Sequence, residues 1–323
     1  MSDGADMPRP HQRIYVAGHS GMVGSALVRA LRARGYANLV TRGRHELDLV
    51  DQKAVHRFFA DTQPDYVFLA AAKVGGILAN DTRRGEFIYD NLMIEANVIH
   101  AAMRAGVRRL MFLGSSCIYP RDCPQPIKEE YLLGGPFETT NEPYAVAKVA
   151  GLKLCEAFNA QYGTQYVTVM PTNLYGPNDN FDLQGGHVLA ALLRKAHDAK
   201  RHGAQTLEVW GSGRPRRELL HVDDLAEACV FLMEKGVSSG IYNVGTGADE
   251  SIEDLAKMVM RVVGLRGALR YDRSKPDGTP RKLLDPGRIR RLGWRPRVAL
   301  EDGIRSTYEW CLASHAFGHA EAA

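Results

Sequence analysis

Three stretches of the chain carry residue types and spacings that could do chemistry. In "PYAVAK" (143–148), Tyr144 and Lys148 stand four apart, which puts both on one face of a helix. An ammonium beside a phenol favours the phenolate and lowers the phenol pKa from about 10. Tyr144 would then be a usable proton donor to a carbonyl under reduction. In "GSSCIYP" (114–120), Ser115, Ser116 and Cys117 directly follow the apolar run 110–113. That is the carboxyl end of an expected parallel strand, where open α/β sheets bind ligands. In "GHSGMVG" (18–24), Gly18, Gly21 and Gly24 stand between a strand pattern and a helix pattern. Such a turn lets backbone approach a pyrophosphate, whose charge the helix amino end favours. Each stretch alone has a plainer reading: a surface pair, a turn with a packed thiol, a tight loop.

The elements that must position these residues follow from periodicity. Strands are expected at 13–17, 39–41, 66–71, 109–113 and 166–170, and helices at 22–34, 55–60, 88–105 and 143–162. This alternation predicts an α/β fold of the Rossmann type, a doubly wound parallel sheet. After Tyr175-Gly176-Pro177 the pattern changes. Helices are expected at 187–202, 223–234 and 252–263, strands at 207–210 and 241–245, and loops at 211–217 and 273–281. Asp223 or Asp224 is expected to cap the second of these helices. The expected organisation is a dinucleotide-binding domain over 13–177, rejoined by parts of 218–246, a smaller and mainly substrate-binding domain over 178–315, and loose tails at 1–12 and 316–323.

Composition bounds the function. The 323 residues carry a formal net charge of +4, too mild to imply nucleic acid. Five cysteines without a CxxC argue against a disulfide framework or a metal site and fit a reducing cytoplasm. No apolar run approaches a membrane span, and the opening residues lack the apolar stretch of a secretory signal. The second strand decides which dinucleotide is expected. NAD sites usually place an acid at its end, but here stand Arg42 and Arg44. A guanidinium fits a phosphate bidentately, so NADP is expected over NAD. Asp48 reads equally as an adenine contact or a helix cap. The small residues of "LAAAKVGG" (69–76) would admit an adenosine ribose.

The glycine spacing and the Ser115, Tyr144, Lys148 set resemble the extended short-chain dehydrogenase/reductases. Beyond them, "FLGSSCIYP", "NEPYAVAK", "VMPTNLYGPNDNF", "VWGSG", "ELLHVDDLA" and "SKPDGTPRKLLD" resemble the GDP-L-fucose synthase family, the GDP-4-keto-6-deoxy-D-mannose 3,5-epimerase/4-reductases. The resemblance implies NADPH as cofactor, GDP-4-keto-6-deoxy-D-mannose as substrate, and a homodimer paired through helices 88–105 and 143–162. It implies Cys117 and His187 as the acid/base pair of epimerisation; a thiol near 8.5 and an imidazole near 6.5 bracket neutrality. Ser115 and Tyr144 would hold the enolate oxygen. It also implies cofactor contacts from Gly18, His19, Ser20, Gly21, Met22, Val23, Gly24, Arg44, Asp48, Leu113, Gly114, Ser115, Ser116, Lys148, Pro171, Thr172, Asn173, Leu174 and His187. Substrate contacts would come from Lys195, Trp210, Arg217 and Asp277. Two positions depart from the family: Lys195 stands where Arg is frequent, and Ser20 where some members have Arg. Arg44 is left to carry the preference for NADP. Alternatives at this level are a nucleotide-sugar 4-epimerase or 4,6-dehydratase that retains NAD, and a non-catalytic dinucleotide sensor.

Overall fold

A computed structural model of the chain describes residues 11–183, 185–275 and 277–317. The outer parts of both expected tails, 1–10 and 318–323, lie outside the described residues. At the centre is a six-stranded parallel sheet in the order Ile241–Val244, Gln165–Pro171, Arg109–Leu113, Tyr66–Leu69, Ile14–Ala17, Leu39–Val40. Its strands are continuous apolar runs because helices cover both faces; Ile14, Tyr15, Val16 and Ala17 are all buried. On one face, helices Met22–Ala33 and Val222–Glu234 bury Leu27, Leu31, Leu225 and Val230 against Phe68. On the other, helices Gln52–Thr62, Arg84–Arg104 and Glu142–Tyr162 bury Phe59, Val98 and Leu152 against Phe112. A third core joins helices Val188–Arg201, Ile252–Val263 and Leu300–Ala313 to the parallel pair Thr206–Trp210 and Ala268–Asp272.

The strand order sets the place of the site. From Ile14–Ala17 the chain moves outward to Leu39–Val40, then returns to Tyr66–Leu69 on the other side. Ligands of open α/β sheets bind at the carboxyl ends beside such a reversal. Strand Ile241–Val244 and helix Val222–Glu234, late in sequence, rejoin this sheet. Among the described residues no helix is long and apolar enough to cross a membrane.

Several local expectations are corrected. Helix Gln52–Thr62 begins earlier than its apolar pattern, so Asp51, not Asp48, caps it, accepting from Lys53 N at 2.9 Å and Ala54 N at 3.1 Å. Asp48 instead accepts from Val50 N within a turn. Helix Val222–Glu234 is capped by His221, whose Nδ1 accepts from Asp223 N. Asp224 is buried and accepts from Arg297 N and Val298 N, tying the helix to the C-terminal segment. Within the expected loop 211–217, Arg216–Arg217 is a short strand. Within the loose tail expected over 316–323, Phe317 is buried with its ring edge-on to Phe181 at 5.4 Å. An aromatic side chain there fills the gap between packed helices.

Candidate active site

The glycine turn is built for close backbone approach. Gly18 holds φ +82°, and a Cβ there would stand 2.7 Å from Ala71 backbone. A Cβ on Gly24 would fall onto the Gly18 carbonyl oxygen. Gly21 starts helix Met22–Ala33 without any side-chain cap. The first N–H groups of the helix, from Met22, Val23 and Gly24, therefore have no intrahelical partner. His19 Nδ1 is likewise buried without a hydrogen-bond partner. Orphan donors around a turn no Cβ would fit are the fit expected of a pyrophosphate cradle. Ser20 is exposed beside them. At the adenosine end, Arg42 stacks over the Phe58 ring at 5.7 Å and donates to Thr41 O. Arg44 is exposed and makes no hydrogen bond or ion pair among the described residues. Glu46, the nearest acid after the strand, is folded onto Gly43 N–H at 2.6 Å. The 71–76 loop is pinned from below: buried Asn91 accepts from Lys73 N and donates to Lys73 O.

Ser115 follows strand Arg109–Leu113 and accepts from Cys117 N at 3.2 Å, capping the 3-10 turn Ser116–Ile118. The Ser115 hydroxyl lies close enough to the Tyr144 phenol to favour its ionised form. Gly114 donates to Val169 O, and a Cβ there would stand 2.5 Å from Met170 Sδ. Lys148 is buried; Nζ donates to the Leu113 carbonyl at 2.9 Å and pairs with Glu95 Oε1 at 3.0 Å. Its charge lies 5.8 Å from the centre of the Tyr144 ring. The expected lowering of the Tyr144 pKa is not seen: burial pushes it up, Cys117 and Glu95 push it further, and only Ser115 opposes them. The first reason is burial, which disfavours the phenolate; the Glu95 carboxylate paired with Lys148 adds to it. Breaking a buried pair of this kind by removing one partner costs about 3–5 kcal/mol. Pro171 and Thr172 are buried beside this turn. Asn173 and Leu174 begin a short strand, Asn173–Tyr175, and Thr172 and Asn173 side chains both donate to Glu218 O.

Cys117 is half-buried in a cleft lined by Ser116, Tyr119, Thr279, Arg281 and Lys282. Lys282 Nζ donates to Cys117 Sγ at 3.5 Å. His187 is the residue before helix Val188–Arg201, exposed, with Nδ1 3.7 Å from the buried Asp179 carboxylate. The nearby Asp179 carboxylate raises the His187 pKa against the partial desolvation of the ring. Arg281–Lys282 forms a parallel pair with Arg216–Arg217, so Lys282 is the register partner of Arg217. One short ladder thus ties an expected diphosphate contact to the thiol. Arg217 donates to Arg216 O and Thr279 O. Trp210 is sandwiched between Lys195 Nζ at 4.4 Å and Lys275 Nζ at 5.3 Å. Asp277 takes Ser212 N at 2.6 Å and Ser212 Oγ at 2.8 Å, so its first task is to hold the 211–213 turn.

The chain is similar to known proteins. Residues 14–245 match the NAD dependent epimerase/dehydratase family. The chain is 54% identical over 310 residues to the GDP-L-fucose synthase of Escherichia coli K12, covering 93% of this chain and 97% of that protein. It is 52% identical over 311 residues to GDP-L-fucose synthase 1 of Arabidopsis thaliana, covering 96% of each. The chain belongs to the NAD dependent epimerase/dehydratase family, among the GDP-L-fucose synthases. A solved GDP-L-fucose synthetase from Naegleria fowleri bound to NADP superposes with a TM-score of 0.90 at 29% identity, covering 97% of this chain and 96% of that one.

Against this family background, several residues of the site had no individual signal in the sequence. Lys282 lies inside the quoted "SKPDGTPRKLLD", but only the ladder to Arg217 brings it to Cys117. Lys275, Asp179 and Asn91 act through partners distant in sequence. Glu95 was hidden by its setting, since a charge in a helix is normally a solvated one. The trace it left is Gly151, a helix-interior glycine one turn beyond Lys148 that makes room for the carboxylate.

Proposed function

We propose that this chain converts GDP-4-keto-6-deoxy-D-mannose to GDP-L-fucose, inverting carbons 3 and 5 and then reducing the carbon 4 ketone. The carrying observation is that one strand end holds both chemistries: Ser115 and Tyr144 for a carbonyl oxygen, Cys117 beside Lys282 for a proton. The Cys117 thiolate, facing a cation, takes the proton alpha to the ketone, and the electron pair moves onto the carbon 4 oxygen. Ser115 and Tyr144 hold that oxyanion. His187, its pKa raised by Asp179, returns a proton to the opposite face. NADPH, when bound, supplies hydride to carbon 4. Gly18, Gly21 and Gly24 with the adjoining N–H groups would hold its pyrophosphate, and Arg44 its 2′-phosphate. Tyr144 then gives its proton to the carbon 4 oxygen, and a phenol held high by burial is protonated at neutral pH. Lys195 and Arg217 would meet the diphosphate of the substrate, and Trp210 and Asp277 its nucleoside and hydroxyls.

The same reading includes a homodimer through helices Arg84–Arg104 and Glu142–Tyr162, which leave Tyr89, Val146 and Tyr162 exposed. Light scattering at micromolar concentration is expected to give twice the chain mass. The chemistry itself is tested by separating its halves. Cys117→Ala should lose deuterium incorporation from heavy water at carbons 3 and 5, yet still slowly reduce the ketone. Tyr144→Phe should lose reduction steeply and keep some exchange. A Cys117→Ala enzyme that exchanges both positions at the wild-type rate removes the thiol from the mechanism.

A further inference from the structure

Beneath Ser115, Tyr144 and Lys148 lies a carboxylate to which the chemistry above gives no task. Glu95 comes from the middle of helix Arg84–Arg104 and is 1% exposed, while Lys148, from helix Glu142–Tyr162, is 2% exposed. The two meet at 3.0 Å, and no hydrogen-bond donor other than this ammonium serves either Glu95 oxygen among the described residues. The chain makes room for the contact. A Cβ on Gly151 would stand 2.5 Å from Glu95 Oε2 and 2.7 Å from the Phe112 ring. The ammonium also sits over that ring, 4.7 Å from its centre.

We propose that Glu95 is a positioning residue for the reduction: its carboxylate keeps the buried Lys148 ammonium charged and fixes Nζ under the strand end. This rests on the reading of Lys148 as a cofactor contact in the reduction. The physical case is desolvation. An ammonium enclosed by Phe112 and the helix pair is costly unless a counter-charge accompanies it. Glu95 also adds to the burial that keeps the phenol protonated and so ready to donate. The other titratable groups nearby are Tyr144 and Cys155 on the helix of Lys148, Cys117 on the strand-end turn and Tyr166 on strand Gln165–Pro171. Burial holds the phenols and the Cys155 thiol neutral, so none of them replaces Glu95 as counter-ion.

The test compares wild type, Glu95→Gln and Glu95→Asp from about pH 6 to about pH 9.5. Three quantities are read: the NADPH dissociation constant by fluorescence, single-turnover NADPH oxidation, and solvent-deuterium exchange at carbons 3 and 5 without reductant. In Glu95→Gln the unpaired ammonium gives up its proton as pH rises. Binding and oxidation should then stay within about threefold of wild type at pH 6 and fall at least about tenfold behind by pH 9. Exchange, which does not use Lys148, should stay within about twofold throughout. Glu95→Asp keeps the charge and should restore the wild-type pH profile at a lower rate, and it decides the matter if Glu95→Gln fails to fold. The proposal is overturned if Glu95→Gln runs parallel to wild type, if exchange falls in step with oxidation, or if Glu95→Asp shows the displaced profile. A wild-type enzyme that reduces no GDP-4-ketosugar would sink the functional reading instead, and NADPH binding would still judge Glu95.

Discussion

Replacing Lys282 with Met removes the one cation that, among the described residues, lies at hydrogen-bond reach of the proposed base, while keeping an unbranched stem of similar length. The ammonium lies 3.5 Å from Cys117 Sγ, and both residues are half-buried. A unit charge pair at that distance is worth about 1–2 kcal/mol when solvent screening keeps the effective dielectric near its upper range. The thiolate of the variant loses that stabilisation. At neutral pH the rate of solvent-deuterium exchange at carbons 3 and 5 should fall about tenfold. Reduction of a ketone that has already been epimerised should hardly change, since hydride transfer does not use the thiol. The assay is mass spectrometry of the sugar after timed incubation in heavy water, at about pH 7 and about pH 9, with NADPH oxidation followed separately. Exchange equal to wild type at both pH values would refute the reasoning. So would an equal loss of exchange and reduction, which would mean that Lys282 acts by holding the substrate.

Two further outcomes follow from the same geometry. Arg44→Ala removes a charge-assisted contact worth about 1.5–3 kcal/mol to a 2′-phosphate, so the Michaelis constant for NADPH should rise about tenfold while that for NADH barely moves; steady-state kinetics with both cofactors checks this. Asp179→Asn removes the group that raises the His187 pKa. A raised pKa keeps imidazolium present below it and loses it as pH rises, so the variant should exchange as wild type near pH 6 and fall about threefold behind near pH 8, the effect being modest because the ring is exposed.

Much of the sheet was legible because buried parallel strands are continuous apolar runs and the helices between them carry a one-sided stripe. Strand Arg109–Leu113 and helix Ile252–Val263 stand where their patterns put them. Strands Asn173–Tyr175, Leu219–His221 and Ala268–Asp272 were not legible, since each has five residues or fewer and no distinctive period. Of the two readings open for Asp48, the helix cap fails because the polar first turn of that helix hides where it starts. Within the site, Gly18, Ser115, Tyr144 and Cys117 announce themselves through local spacing. Lys282 and Glu95 do not, because their roles exist only after a ladder to Arg217 and a gap at Gly151 have brought distant segments together. The direction of the Tyr144 pKa was misjudged because the sequence shows the ammonium four residues away but neither the burial of the phenol nor the carboxylate behind the ammonium.

The central claim joins two chemistries in one site, and one reaction examines both. Wild-type protein is incubated with GDP-4-keto-6-deoxy-D-mannose and NADPH in heavy water, and the sugar and the cofactor are quantified together. The account predicts one NADPH consumed for each GDP-L-fucose formed, with solvent deuterium at carbons 3 and 5 of the product. A product formed without net NADPH consumption, or a reduced sugar with no deuterium at either carbon, would contradict it.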